Sequence, residues 1–224
     1  MVHPRHSSHG TTAIRHADLV TALPMFPLGA VLLPGAELPL RVFEERYRTM
    51  VEHCLADDGR FGVVLIARGS EVGGGEERTE IGTVAQIDRY VRAPGGRFTL
   101  LCTGTERIVV NRWLPDDPYP LADVDVWTDD QQPADPTTLL HKRVELEKAV
   151  AQLAQRQGHR HRRWPALDLP GNPTDMSFAL AQSLPLTDAD RQSALQAAGP
   201  RDRLQILESA VDDVIAGVRF RLQT

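Results

Sequence analysis

Cysteine is scarce in this chain of 224 residues, in which only Cys54 and Cys102 occur. Two cysteines are too few to form a metal-binding framework. Each lies in an apolar run, and unpaired cysteine behaves as a small hydrophobic residue. We therefore expect two buried free thiols, with a disulfide or a reactive thiol as the alternative.

Long apolar runs and an excess of positive charge are also missing. No stretch reaches the roughly 18 apolar residues of a membrane span, so no such span is predicted. Residues 1–18 lack the apolar segment of a secretory signal, and a cytoplasmic location is therefore expected. The formal net charge is −5 and the pI is about 5.9, which makes nucleic acid an unlikely general partner.

The sequence carries no familiar signature of catalysis. The glycine-rich segment at 70–78 lacks the G-x-x-x-x-G-K-[ST] spacing of a phosphate-binding loop, and no G-x-S-x-G occurs. Glu44 and Glu45 are neighbours on a predicted helix, where successive side chains point about 100° apart and do not face each other. We expect no catalytic residue, no cofactor and no enzymatic activity.

Histidine is concentrated near the N-terminus, in a polar segment. The histidines there are His3, His6, His9 and His16. We predict a disordered tail over residues 1–21, where histidines lack fixed ligand geometry, so no metal site is expected. The basic cluster at 158–164, "GHRHRRW", is most simply a solvated loop, with contact to RNA or an acidic partner as the alternative.

The pattern of the chain changes about halfway along. Short alternating or β-branched runs predict strands up to residue 128, interrupted by one amphipathic helix that starts at Phe43. A polar, proline-containing segment follows, and apolar residues then repeat at helical spacing. We predict an α+β protein with a β-rich domain at 22–128 and a helical bundle at 136–224.

Two local predictions bear on the arrangement of the strands. Residues 97–114, "RFTLLCTGTERIVVNRWL", are interpreted as two strands separated by Thr103-Gly104-Thr105-Glu106. Pro34 and Pro39 argue against a central strand, so residues 30–40 are predicted as an edge strand or a loop.

A series of short motifs runs through the first half. Residues 23–51, "LPMFPLGAVLLPGAELPLRVFEERYRTMV", contain a Leu-Pro-x-Phe-Pro-Leu start, a Leu-Pro-Gly turn, Leu-Pro-Leu, and Phe-Glu-x-Arg-Tyr at a helix start. Phe-Gly-Val-Val, Ile-Gly-Thr-Val-Ala and Gly-x-x-Arg-Ile follow in order at 61–64, 81–85 and 104–108. Over roughly residues 22–220 the chain resembles the Lon N-terminal (substrate-binding) domain family.

The resemblance implies a PUA-like twisted β-barrel with one helix, followed by a helical bundle. In full Lon proteases this domain precedes an ATPase module and a peptidase domain, and this sequence has neither. A stand-alone substrate-recognition domain is therefore implied. The residues that carry the structural family motif are Pro27, Pro34, Gly35, Phe43, Glu44, Arg46, Gly82, Gly104 and Arg107.

We interpret the protein as a non-catalytic bacterial module that binds unfolded or exposed protein segments, with a protease or chaperone as a further partner in protein quality control. An extended segment would pair with an exposed strand edge above shallow apolar grooves. The candidate contact residues are Phe26, Leu33, Arg41 and Tyr47. An RNA-binding PUA-like protein and a hydrolase with an unrecognised site are the alternatives. We expect a monomer or a weak dimer.

Phe43 is expected to be a core residue at the start of the first helix. Its replacement by alanine would then cost about 3–5 kcal/mol. Glu44 and Arg46 are expected to be structural anchors there, either as helix caps or as ties to the preceding segment, with direct contact to a partner as the alternative.

Overall fold

The computed structural model describes residues 22–68, 77–160 and 163–223. The predicted tail at 1–21 with its histidines, most of the glycine-rich segment and the centre of the basic cluster lie outside these ranges. Among the described residues, no helix is long and apolar enough to cross a membrane.

Six strands form one sheet in the first half of the described chain. They are β1 (Ala22–Leu28), β2 (Glu37–Val42), β3 (Arg60–Arg68), β4 (Glu77–Arg92), β5 (Phe98–Leu114) and β6 (Leu121–Val126). The sheet order is β2-β5-β4-β3-β1-β6, and β5 also pairs with β6. The pairings of β5, β4, β3, β1 and β6 thus close on themselves, while β2 is attached to β5 alone as an edge strand.

The prediction of two strands between residues 97 and 114 is wrong, because β5 is continuous. β5 is long because its neighbour on one side changes along its length: residues 98–103 pair with β2 and residues 108–114 pair with β6. Gly104 lies at the change, where a β-carbon would come within 2.4 Å of the Leu33 carbonyl oxygen. The turn-like residues therefore mark a close crossing of two chain segments and not a turn.

Five helices complete the fold of the described residues. Helix α1 (Glu45–Ala56) packs against β1 and β3, and four more follow the sheet: α2 (Thr137–Arg156), α3 (Pro173–Gln182), α4 (Asp188–Leu195) and α5 (Pro200–Gln223). Helix α4 starts with a capping box, in which the Asp190 N–H donates to Thr187 Oγ1 at 3.2 Å and the Thr187 N–H donates back to Asp190 Oδ2 at 3.1 Å.

Phe43 is not a core residue, since its side chain is 61% exposed. Helix α1 begins at Glu45, and Glu44 before it is extended, with φ −64° and ψ 138°. Phe43 therefore precedes the helix, and the helical spacing that grouped it with Tyr47 does not apply. The expected loss of about 3–5 kcal/mol on its removal is corrected accordingly.

Cys54 and Cys102 are both buried and unpaired, as the sequence predicts. Burial raises the pKa of each thiol to about 12. Because the thiolate is the reactive form, neither cysteine is a nucleophile near neutral pH.

A buried ionic cluster joins the sheet to the helices. Arg107 on β5 and Arg203 on α5 share the carboxylate of Asp129, which lies between β6 and α2. The two Arg203–Asp129 hydrogen bonds measure 2.8 and 2.9 Å. All three side chains are at most 3% exposed, so each charge depends on the others for compensation.

The remaining donors of the two arginines also find acceptors. Arg107 Nη1 donates to the carbonyl oxygens of Leu195 and Ala197, both at 2.7 Å, at the C-terminal end of α4. Arg203 donates to Ser177 Oγ at 2.8 Å, and its guanidinium lies 3.6 Å from the centre of the Phe178 ring. The cluster therefore connects β5, α3, α4 and α5 through one carboxylate.

The pKa of Asp129 reflects this arrangement. Burial alone would raise the pKa, but the hydrogen bonds and the charge of Arg203 outweigh it and lower the pKa below its usual value. Burial lowers the pKa of Arg107 to about 10, against the attraction of Asp129. Both groups remain charged at neutral pH.

We predict that Asp129→Asn lowers the free energy of unfolding by about 3–5 kcal/mol, because it leaves two buried guanidinium groups without a counter-ion. Urea denaturation measures the loss, with the exposed neighbour Asp130→Asn as a matched control expected to stay within about 0.5 kcal/mol. Since folding lowers the pKa of Asp129, its contribution should persist down to about pH 4 and fall only below that. A loss below about 1 kcal/mol would contradict the role of the cluster.

Candidate functional site

The outer edge of β2 is open. β2 pairs with β5 on one side, and within the described residues no strand pairs with its other side. Gly104 donates its N–H to the Ala36 carbonyl oxygen at 2.9 Å, so the backbone of Ala36 points towards β5. In an antiparallel pair, the N–H and C=O groups of successive residues point alternately towards and away from the partner strand. The N–H and C=O groups of the even-numbered residues of β2 therefore also point towards β5.

The odd-numbered residues Glu37, Pro39 and Arg41 therefore point their backbone groups outwards. Proline has no N–H to donate, which fits Pro39 at an outward position and would not fit it at a ladder position. The open edge offers the N–H groups of Glu37 and Arg41 and the carbonyl groups of all three residues. This is the set of groups with which an added strand would pair.

A cavity of about 210 Å³ adjoins this edge. It is lined by Phe26, Leu28, Pro39, Leu40, Arg41, Val42, Phe43, Glu44 and Tyr47. Successive side chains of a strand point to opposite faces, so a cavity that touches four consecutive residues of β2 runs along its edge and not over one face. The inner edge is occupied by β5, which places the cavity beside the open edge. We call this cavity and the open edge of β2 the edge groove.

The floor of the edge groove is aromatic and closely packed. The rings of Phe26 and Tyr47 lie 4.2 Å apart between centroids, and Phe61 packs against Phe26 at 6.1 Å. Phe26 and Tyr47 are 8% and 2% exposed, whereas Phe43 stands at the rim with most of its ring in solvent. The groove thus has a fixed apolar floor and one free aromatic side chain beside it.

Three of the four predicted contact residues meet at this groove. Phe26 and Tyr47 form its floor, and the exposed Arg41 lies at its rim. Leu33 does not belong to it, because its side chain is 1% exposed and packs in the helical core. Phe43, expected to be a core residue, lines the groove instead, and the acidic pair that follows it, typical of a first helical turn, would have placed the helix start after it.

Glu44 lines the groove and contacts Arg46. Arg46 Nε donates to Glu44 Oε2 at 3.2 Å, and the Arg46 guanidinium lies 4.5 Å from the centre of the Tyr47 ring. Glu44 makes no side-chain cap to α1. The pair therefore holds the chain between β2 and α1 against the aromatic floor.

The junction between sheet and helices has a second cavity of about 270 Å³. Its walls include Arg107, Asp129 and Trp127, and the first two are already paired with each other. Glu106, also in the wall, accepts a hydrogen bond from Thr105 at 3.0 Å. In the part of the chain that the structure covers, no group of three or more histidine, cysteine or acidic residues could hold a metal ion.

These features define a mixed α+β domain in which a closed sheet with one open edge strand is joined to a helical unit. Residues 22–213 match the model of the ATP-dependent protease La (LON) substrate-binding domain. The chain therefore belongs to the LON substrate-binding domain family. Two family-motif glycines fit this packing, since a β-carbon at Gly82 would come within 2.2 Å of the Val63 carbonyl oxygen, and one at Gly104 would come within 2.4 Å of the Leu33 carbonyl oxygen.

Similar proteins carry the same family name. The Lon N-terminal domain protein from Xanthomonas campestris is 30% identical with a TM-score of 0.62, and the match covers 84% of this chain and 98% of that one. The N-terminal domain of a Mycobacterium avium complex Lon protease shares the fold, with 18% identity and a TM-score of 0.55 over 86% of this chain and 98% of that one.

Curated relatives are longer proteins. The Lon protease of Desulfovibrio desulfuricans is 26% identical over 99% of this chain and 26% of its own length. Lon protease 2 of Myxococcus xanthus is 30% identical over 52% of this chain and 14% of its own length. The chain thus spans about a quarter or less of the length of these relatives.

We predict that Phe43→Ala lowers the free energy of unfolding by less than about 1 kcal/mol, because most of the ring is already in water. Phe26→Ala should cost about 3–5 kcal/mol, because it leaves a cavity between Tyr47 and Phe61. Urea denaturation of both variants measures the contrast. Equal losses would show that Phe43 is packed in solution.

Proposed function

We propose that the protein is a non-catalytic module that binds extended, exposed segments of other proteins, and that the edge groove is the binding site. One observation carries the proposal: an unpaired strand edge lies beside a cavity that has an aromatic floor and both apolar and charged residues in its walls. Membership of the LON substrate-binding family supports it.

Binding at such a site has two parts. Main-chain hydrogen bonds to the outward groups of Glu37, Pro39 and Arg41 hold the segment regardless of its sequence, while the cavity selects side chains. The cavity of about 210 Å³ is smaller than the roughly 300–1,000 Å³ of a small-molecule site, so it suits one or two apolar side chains. Phe43, free at the rim, can cover the side chain that enters.

Pro39 limits how strongly the edge can pair. It removes the middle one of three outward donors, which blunts the edge against pairing with another copy of itself. We infer weak, reversible binding, which suits a protein that samples many segments.

We also propose several features of the fold, the location and the role of the protein that are consistent with this function. The closed sheet is a PUA-like barrel, the helical unit is a bundle, and the domain division falls between 22–128 and 136–224. The protein acts in the cytoplasm as a monomer or weak dimer, as an adaptor that presents segments to a protease or chaperone. The hydrolase alternative has less support, because Arg107 and Asp129 in the wall of the second cavity are already paired with each other.

The test uses a fluorescent peptide of alternating apolar and uncharged polar residues, with binding followed by anisotropy. We predict that Arg41→Pro weakens binding at least about tenfold, because it removes an outward N–H and leaves the β2–β5 ladder intact. Arg41→Gln keeps the N–H and is the matched control, expected to bind this uncharged peptide as the wild type does. Phe43→Ser should weaken binding severalfold.

Three results would overturn the proposed function. They are equal binding by the proline variant and the wild type, peptide hydrolysis by the purified protein, and preferential binding of a single-stranded RNA oligonucleotide over the peptide. Thermal unfolding of each variant shows that the fold is retained.

A further inference from the structure

Arginines gather at the end of β2 that adjoins the cavity. Arg41 lines the cavity, and Arg97 directly precedes Phe98, which is the register partner of Val42. Arg48 on α1 reaches the same end, where its Nη1 donates to the Gly95 carbonyl oxygen at 2.7 Å.

These three arginines have no counter-ion within the described residues. None of them lies within salt-bridge distance of a carboxylate in the ranges that the structure covers, whereas Arg46 pairs with Glu44 and Arg92 pairs with Glu52. Glu45 in the first turn of α1 is exposed and adds one more acidic side chain to those of Glu44 and Glu52. The five arginines named here thus outnumber the three glutamates, which is an excess of positive charge in a protein whose formal net charge is −5.

Two guanidinium nitrogens at this end also lack an acceptor. Arg46 Nη2 and Arg48 Nε are buried and make no hydrogen bond with the described residues. Because both nitrogens are buried, they add positive charge to this end without being directly accessible to a ligand.

The opposite end of β2 has the opposite charge. Glu37 is exposed there, and its register partner Thr103 donates a hydrogen bond to Asp88 at 2.7 Å. The edge groove therefore runs from an acidic end at Glu37 to a basic end at Arg41. This difference in charge between the two ends favours one orientation of a charged ligand.

We propose that the segments bound at the edge groove carry one or more acidic residues within about two positions of the apolar residue that enters the cavity. The acidic residue lies beside Arg41 and Arg97, and the segment continues towards Glu37 with uncharged or basic residues. This inference rests on the proposed function and names the class of segment that the site accepts.

The test compares three labelled peptides with the full chain. They share one alternating apolar core and differ only in a flank of two glutamates, two glutamines or two lysines. We expect the glutamate peptide to bind about three- to tenfold more tightly than the glutamine peptide at low salt, and the lysine peptide to bind least. The difference should largely disappear at about 0.5 M salt, because both charges are exposed.

Variants assign the preference to the groove. Arg41→Gln combined with Arg97→Gln should bring the ratio of the affinities for the glutamate and glutamine peptides, both measured on the same variant, close to one. Arg112→Gln combined with Arg201→Gln is the control, since it removes the same charge from exposed positions outside the edge groove and should retain the preference.

The outcomes separate this inference from the proposed function. Equal binding of all three peptides, or an equal loss of preference in the control variant, overturns the acidic-flank inference while the groove still binds peptides. Binding of none of the three overturns the proposed function and the inference together.

Discussion

The packing of the helices against the sheet depends on the carboxylate of Asp129. It compensates two buried arginines at once, one from β5 and one from α5, and burial makes this compensation obligatory. Because Arg107 also bonds the last carbonyls of α4, the helices are held against the second half of β5. The first half of β5 lies away from this contact and pairs with β2, whose outer edge stays open.

Because β5 is divided in this way, the ionic cluster that stabilises the fold lies apart from the proposed binding site. Arg107 and Thr99, the register partner of Arg41, are eight residues apart on one strand, which corresponds to about 26 Å. The ionic cluster therefore fixes the fold at a distance from the edge groove, and side chains at the groove rim can vary without loss of the core. Phe43 illustrates the point, since it lies in a family motif yet contributes little to the core.

Local signals in the sequence predicted local structure well. The edge character of the Pro39 segment, the buried cysteines and the short motifs behind the family resemblance all depend on residues close together in the chain. The ionic cluster could not be predicted in this way, because its members lie 22 and 74 residues apart and their burial is set by tertiary packing. β5 was divided wrongly because Thr103-Gly104-Thr105 has the composition of a turn, while the close approach of Leu33 is a non-local constraint.

The edge groove combines two properties that usually conflict. An open strand edge next to apolar side chains promotes aggregation, and proteins that keep such an edge need a device that limits pairing. Here Pro39 removes a central donor, and Arg41 and Glu37 place charge at both ends of the edge. If two copies paired antiparallel through β2, each would lack the N–H donor at Pro39, so the pairing would lose hydrogen bonds on both sides. An extended segment without a proline at the matching position loses only the bond to Pro39. The same proline therefore limits pairing between copies and leaves the edge able to bind other chains.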